Sequence, residues 1–258
     1  MDLGIKGKTA VVCAASKGLG YGCAEALAQA GVNLVICART QETLDDAAEK
    51  LRAFGTDVKA VACDITTEAG QKAVLDAAGH VDILVNNAGG PPPGHWSDWD
   101  RDDFIKAVDA NMMTPISMIK AVLPAMIDAK WGRIVNITSQ SVKSPIAVLG
   151  LSNTARAGLT GYVAGTSRDV AKHGVVINNL LPGIHATDRA VSLDTGVSQA
   201  QGITMDEAKA QRAATIPVQR YGTSEEFGNT CAFMCSQYAG NMIGQNILLD
   251  GGAMNSTM

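Results

Sequence analysis

The run from Lys8 to Gly22, Lys-Thr-Ala-Val-Val-Cys-Ala-Ala-Ser-Lys-Gly-Leu-Gly-Tyr-Gly, limits the choice of fold more than any other stretch of the chain. A β-branched apolar segment, Thr9 to Val12, enters a turn of small residues, Ala14 to Gly20, and leaves into an amphipathic Ala-rich segment. That order reads as strand, tight turn, helix. Gly18 and Gly20 carry no Cβ, so the turn can approach an anion closely, while the amides and positive dipole end of the next helix face its charge. The turn therefore reads as a pyrophosphate cradle, with an ordinary strand-to-helix turn as the competing reading. Its spacing differs from the general dinucleotide fingerprint Gly-x-Gly-x-x-Gly.

The same alternation continues along the chain. Strands are expected at Asn33 to Ala38, Val58 to Cys63 and Val81 to Val85, separated by helices at Thr40 to Phe54 and Thr67 to Ala78. One long helix follows from Asp100 to Ala129, then a strand at 133–138, a helix from Leu151 to His173 and a strand from Val175 to Leu180. Residues 185–216 form an insertion with a helical piece near Met205 to Ala214, and a capped helix from Thr223 and a strand at Ile247 to Leu249 close the pattern. Parallel strands need crossover helices, so the fold class is α/β: a single Rossmann-like, doubly wound sheet of about seven strands with helices on both faces. No break in composition divides the 258 residues, 47% of them hydrophobic, and one domain over 1–258 is expected.

Charge and cysteine usage narrow the function. A net charge of -4 with both signs mixed along the chain argues against nucleic acid and anionic membranes as partners. The first residues lack a basic region followed by an apolar one, and no uninterrupted apolar run reaches spanning length, so a cytoplasmic location is expected. Cys13, Cys37 and Cys63 fall in predicted strands, and Cys231 and Cys235 lie one helical turn apart. No clustered His completes a metal site, so no metal is expected and the thiols read as buried and reduced.

Ligands of such sheets sit at the carboxyl ends of the strands. Arg39 follows the second strand, where an adenosine ribose would lie, and a guanidinium there suits a 2'-phosphate. Lys17 places a second cation in the glycine turn, and the pair favours NADP(H) over NAD(H) as cofactor. Asp64, after the third strand, reads either as an acceptor for the adenine amino group or as a helix N-cap.

With Asn86-Asn87-Ala88-Gly89 after the fourth strand, the chain resembles the short-chain dehydrogenase/reductase family, in particular its 3-oxoacyl-ACP reductases, from about Gly7 to Gly252. Further matches are Asn111, Gly132-Arg133-Ile134-Val135-Asn136-Ile137-Thr138-Ser139, Pro182-Gly183 with Thr187, and Asp250-Gly251-Gly252. Ala14 stands where the family pattern has its first glycine. The resemblance implies a cofactor surface from Ala14, Ser16, Lys17, Gly18, Leu19 and Gly20, from Arg39, Asp64 and Ile65, and from Asn87, Ala88 and Gly89. Arg156, Pro182, Gly183, Ile184 and Thr187 complete it. It also implies that Ser139 donates to a substrate carbonyl, that Asn111 holds a water, that 185–216 is a substrate lid, and that the protein is a homo-oligomer, a dimer or tetramer.

One departure outweighs these matches. The family's catalytic Tyr and Lys positions hold Ser152 and Arg156, on one helical face by their i, i+4 spacing. An aliphatic hydroxyl is a far weaker acid than a phenol, and a guanidinium does not shuttle protons as an amine can. Tyr162 lies roughly 15 Å further along the same helix and cannot stand in. The proton then comes from His185, in the loop after the sixth strand, or from a water chain through Asn111 and Ser152; Lys143 is a further candidate. In the rim Gly90 to Trp99, stiffened by three prolines, His95 and Trp96 either border a substrate mouth or pack on the next helix. The expected activity is an NADP(H)-dependent oxidoreductase acting on a carbonyl or secondary alcohol of small-molecule size. A non-redox enzyme on this scaffold and a cofactor-binding protein without turnover are the alternatives.

Overall fold

Seven parallel strands lie in the order β3-β2-β1-β4-β5-β6-β7 in the computed structural model, which describes residues 1–256. The strands are β1 (Thr9–Val12), β2 (Asn33–Ala38), β3 (Val58–Ala62), β4 (Ile83–Asn86), β5 (Gly132–Ile137), β6 (Val175–Pro182) and β7 (Asn246–Leu249). The helices are α1 (Gly18–Gln29), α2 (Gln41–Arg52), α3 (Glu68–Ala78), α4 (Arg101–Val108), α5 (Thr114–Asp128), α6 (Gly150–Val170), α7 (Asp188–Gln201), α8 (Met205–Ala214) and α9 (Ser224–Met234). The chain order reverses between β1 and β4, which puts the switch point of the sheet beside the glycine turn.

Alternation along each strand builds the two layers. Ala10 and Val12, Leu34 and Ile36, Ile83 and Val85 face a core shared with Leu27, Leu44, Leu51 and Phe227 of α1, α2 and α9. Val11, Val35, Leu84, Ile134 and Ile177 face the other core, with Val74, Met118, Met126, Leu159 and Val163 of α3, α5 and α6. Helices α1 and α9 cross backbone to backbone: a Cβ on Gly228 would collide with the Gly22 carbonyl.

Several expectations change in detail. The long helix is continuous from Arg101 to Asp128 but contains a π turn at Asp109–Met113, which carries Asn111. By length and composition this helix could span a bilayer, yet its buried residues Met118, Ile119, Val122 and Met126 belong to the sheet's core. The insertion holds two helices rather than one, because α7 has too few apolar residues to show a stripe in sequence. These pack on each other around Ala190, Ile216 and Tyr221, with the buried Asp194 accepting from Arg212 and from the Tyr221 hydroxyl at 2.8 Å. Asp64 does not cap α3. Thr67 does, accepting from the Gly70 amide at 3.0 Å, while Asp64 closes its own turn on Thr66. Cys13 and Cys63 lie just past the strands predicted to hold them. The six thiols are free; a hydrogen bond with Cys13 raises Cys37, one with Cys37 raises Cys63, and burial adds to both.

A feature unforeseen in the sequence runs across the carboxyl half of the sheet. Asn86, Asn136, Asn179 and Asn246 are register partners on β4, β5, β6 and β7. Their side chains form a ladder: Asn86 Nδ2 donates to Asn136 Oδ1 (2.9 Å), Asn136 Nδ2 to Asn179 Oδ1 (3.1 Å), and Asn179 Nδ2 to Asn246 Oδ1 (2.8 Å). Asn136→Leu strands two buried amides at once. It is expected to destabilise the protein by about 3 kcal/mol in urea denaturation.

Candidate active site

Strand β1 delivers the glycine turn to the switch point. Gly18 has φ +61 and begins α1, and a Cβ on Gly20 would collide with the Ala14 carbonyl, so this glycine lets the helix start directly behind the turn. Asn87, at the end of β4, donates from Nδ2 to the same carbonyl at 3.3 Å and ties the two loops together. Ala14 itself has φ +48, a left-handed backbone that favours glycine. The family pattern's glycine thus has a conformational reason, and the alanine keeps the turn's shape under strain.

The residues expected to meet a cofactor lie at the strand ends around this turn. Arg39 is exposed past β2, and its charge helps to hold the Asp64 carboxyl below its usual range, after the larger effect of the Thr66 hydrogen bonds. Ile65 lines a pocket with Asn86, Asn87, Ala88, Asn111, Asn136, Ile137 and Arg156. Ser16 and Leu19 are half-buried in the turn, and Gly89 is open to space that a Cβ would not fill. Lys17 is paired with Asp188 of α7, and Thr187 lies over Gly18, its Cγ2 3.6 Å from where a Cβ would stand. Both members of the Lys17 pair are mostly exposed, which makes the pairing weak and leaves the lysine free to serve a phosphate. Pro182, Gly183 and Ile184 follow at the end of β6, with the Gly183 amide bonded to the Leu249 carbonyl at 2.7 Å.

At the end of β5, the second cluster forms. Ser139 Oγ accepts from the Ser141 amide at 3.1 Å. Helix α6 packs on this turn and presents Ser152 and Arg156, both buried. Arg156 donates from Nε to Ser152 Oγ (3.2 Å) and from Nη1 to the Ile137 carbonyl (2.8 Å). Burial, aided by the nearby Arg189, pulls its pKa down to about 10, which keeps it cationic at neutral pH. Each serine hydroxyl has an oxygen lone pair committed to an N–H donor, and its own hydrogen is free to donate elsewhere. Asn111 is buried by the π turn, and its Oδ1 has no partner among the described residues; the pocket it lines has room for about one water. Thr138 Oγ1, Ser141 Oγ and Asn153 Oδ1 are likewise buried and unpartnered, and all adjoin these segments, the usual mark of a functional site. The sequence held no signal for Ser141.

Three candidates lie elsewhere. The His185 ring is buried edge-on against Phe227 (5.2 Å between centroids) and against Gly222, with Nδ1 at 3.3 Å from the Gly183 carbonyl. It does not line the pocket of Asn111 and Arg156, and burial is the chief cause that lowers its pKa. Lys143 is exposed to solvent. Tyr162 packs half-buried against the α5 and α6 core. In the rim, Trp99 meets Phe104 edge-on and lies under Gly150, whereas Trp96 is 76% exposed.

A glycine turn at the switch point and a hydroxyl and cation cluster at the end of β5 are the arrangement expected of a dinucleotide-dependent oxidoreductase. A family model described as short chain dehydrogenase matches residues 8–197. The chain is 30% identical over 256 residues to the 3-oxoacyl-(acyl-carrier-protein) reductase FabG of Vibrio cholerae, covering 97% of this chain and 98% of that protein. It is also 30% identical over 256 residues to the NADPH-dependent reductase BacG of Bacillus subtilis, covering 96% and 98%. Among solved structures, the L-sorbose reductase of Gluconobacter frateurii, complexed with NADPH and L-sorbose, superposes with a TM-score of 0.94 at 27% identity over 99% of this chain and 100% of the other. The chain belongs to the short-chain dehydrogenase family.

Two predictions follow from this geometry. Ala14→Gly relieves the left-handed backbone and is expected to raise stability by about 1 kcal/mol, read as a higher urea midpoint. His185 binds a proton less readily folded than unfolded, so acidification through the ordinary imidazole range favours the unfolded chain. Wild-type stability is therefore expected to fall between about pH 7.5 and 5.5, and the fall should be smaller in His185→Gln.

Proposed function

We propose that this protein is an NADP(H)-dependent oxidoreductase of a carbonyl or secondary alcohol that works without a phenolic proton donor. The observation that carries the reading is the paired hydroxyls of Ser139 and Ser152, each fixed through its oxygen by an N–H donor. The glycine turn fits a dinucleotide pyrophosphate, and Arg39 with Lys17 fits the added ribose phosphate, in line with the NADPH named for the Bacillus and Gluconobacter reductases. When bound, the cofactor supplies or accepts the hydride.

The chain's own residues do the rest. Ser139 donates to the carbonyl oxygen and polarises it. Ser152, held by Arg156 Nε, passes a proton to the same oxygen as charge develops there, and the adjacent guanidinium stabilises the serine oxygen while it is short of a proton. A water held on Asn111 Oδ1 restores that proton. Ile105 of α4 and Met113 of the π turn, about half exposed beside Phe104 and Thr154, supply an apolar surface for a second copy of the chain.

The reading is tested by titrating NADPH and NADH against intrinsic fluorescence, then screening carbonyl compounds by NADPH absorbance. NADPH is expected to bind more tightly, with Arg39→Ala erasing most of the preference. Asn111→Ala should lower kcat by about 10- to 100-fold and enlarge the solvent isotope effect, with little change in NADPH affinity. Tight cofactor binding without turnover of any compound would instead indicate a binding protein, and turnover without absorbance change a non-redox enzyme.

A further inference from the structure

Two guanidinium groups face one point in the site, and no acid answers them. Arg156 spends Nε on Ser152 and Nη1 on the Ile137 carbonyl, which leaves Nη2 without an acceptor among the described residues. Arg189, at the start of α7, reaches across from the lid to the carbonyls of Gly90 and Pro91, both at a long 3.4 Å. A Cβ placed on Gly90 would stand 2.9 Å from Arg189 Nη1 and 3.7 Å from Arg156 Nη2. The gap between the two cations is therefore within the span of one carboxylate or phosphate. No carboxylate among the described residues lies within ion-pair distance of either.

A buried cation costs free energy unless an opposite charge or good acceptors surround it. Arg156 is only 8% exposed and has two neutral acceptors, with a second cation nearby in place of an anion. Electrostatics thus reserve this point for a negative group from outside the chain. The cofactor's pyrophosphate is the other anion at hand, and the glycine turn after β1 answers it with the amides at the start of α1 and with Lys17. The point between the arginines lies beside Gly90, just past the end of β4, and against Arg156 of α6, the helix that carries Ser152.

Building on the reductase reading above, we infer that the substrate is a keto acid, or the corresponding hydroxy acid, whose carboxylate is clamped between Arg156 and Arg189. Arg156 gives a fixed wall and Arg189 the part that arrives with α7. Binding of the anion then holds α7 against the proline rim, which Arg189 already touches at Gly90 and Pro91.

The test is calorimetric titration of pyruvate, 2-oxobutyrate and phenylpyruvate, each against its methyl ester, into the cofactor-free and the NADPH-saturated protein. At least one acid is expected to bind about tenfold or more tightly than its ester. Arg189→Gln, at an exposed position, should remove that preference and leave NADPH affinity and ester binding unchanged. The inference is overturned if no acid outbinds its ester, or if Arg189→Gln weakens NADPH instead of the acids, which would give the arginines to a cofactor phosphate. An acid preference in a protein that fails to bind NADPH would leave the clamp standing and remove only the reductase reading.

Discussion

Four asparagine amides in a row hold the carboxyl half of the sheet in register, and the site is built on the platform they make. Each amide between β4 and β7 satisfies the next, inside a core where an unmade hydrogen bond costs more than a made one gains. A one-residue slip of any of these strands would turn its amide to the opposite face. The ladder therefore fixes how far β4, β5 and β6 extend relative to one another. Asn87, Ser139 and Gly183 each follow one of those ends, and their mutual placement is inherited from the ladder.

On that platform Arg156 takes the place of two functions. A phenol and an amine on one helical face form a pair in which the cation lowers the phenol's pKa and both groups exchange protons. A serine and a guanidinium form a different pair: the cation is permanent, two of its donors are locked into the protein, and the hydroxyl is oriented rather than acidified. The cluster has lost acidity and gained a fixed positive field. In the proposed mechanism that shift moves the proton problem to water and to Asn111, whose buried oxygen has no partner among the described residues.

Much of this was legible beforehand because it depends on local chemistry. The alternation of apolar runs with amphipathic segments gave the strands and their order of crossover, and the strand ends gave Arg39, Asn87 and Ser139. Elements without a local signature were missed. Helix α7 has no apolar stripe, since only Ala190 and Asp194 of it are buried. The π turn differs from an α-helical turn by one residue of hydrogen bonding, which composition does not register. The burial of His185 depends on Phe227 and Gly222, about forty residues away in sequence, so its own loop does not reveal it. The asparagine ladder needs strand register, and no single strand carries that.

The lid and the buried cation have opposite requirements, and their combination explains the Arg189 geometry. Arg189 is repelled by Arg156, yet it is drawn toward the same point by the carbonyls of Gly90 and Pro91, and Lys17 pairs with its neighbour Asp188. The attractive contacts are long or solvent-exposed and therefore weak, and the repulsion acts in a partly desolvated site where charges are felt more strongly than in water. The chain's own contacts thus hold α7 with small forces of mixed sign. A single negative charge between the guanidinium groups converts the repulsive member into an attractive one, and the balance moves in one direction by more than any of the lid's own contacts contribute. A substrate that brings that charge closes the lid with the group that identifies it, while a neutral analogue of the same shape lacks the means to do so.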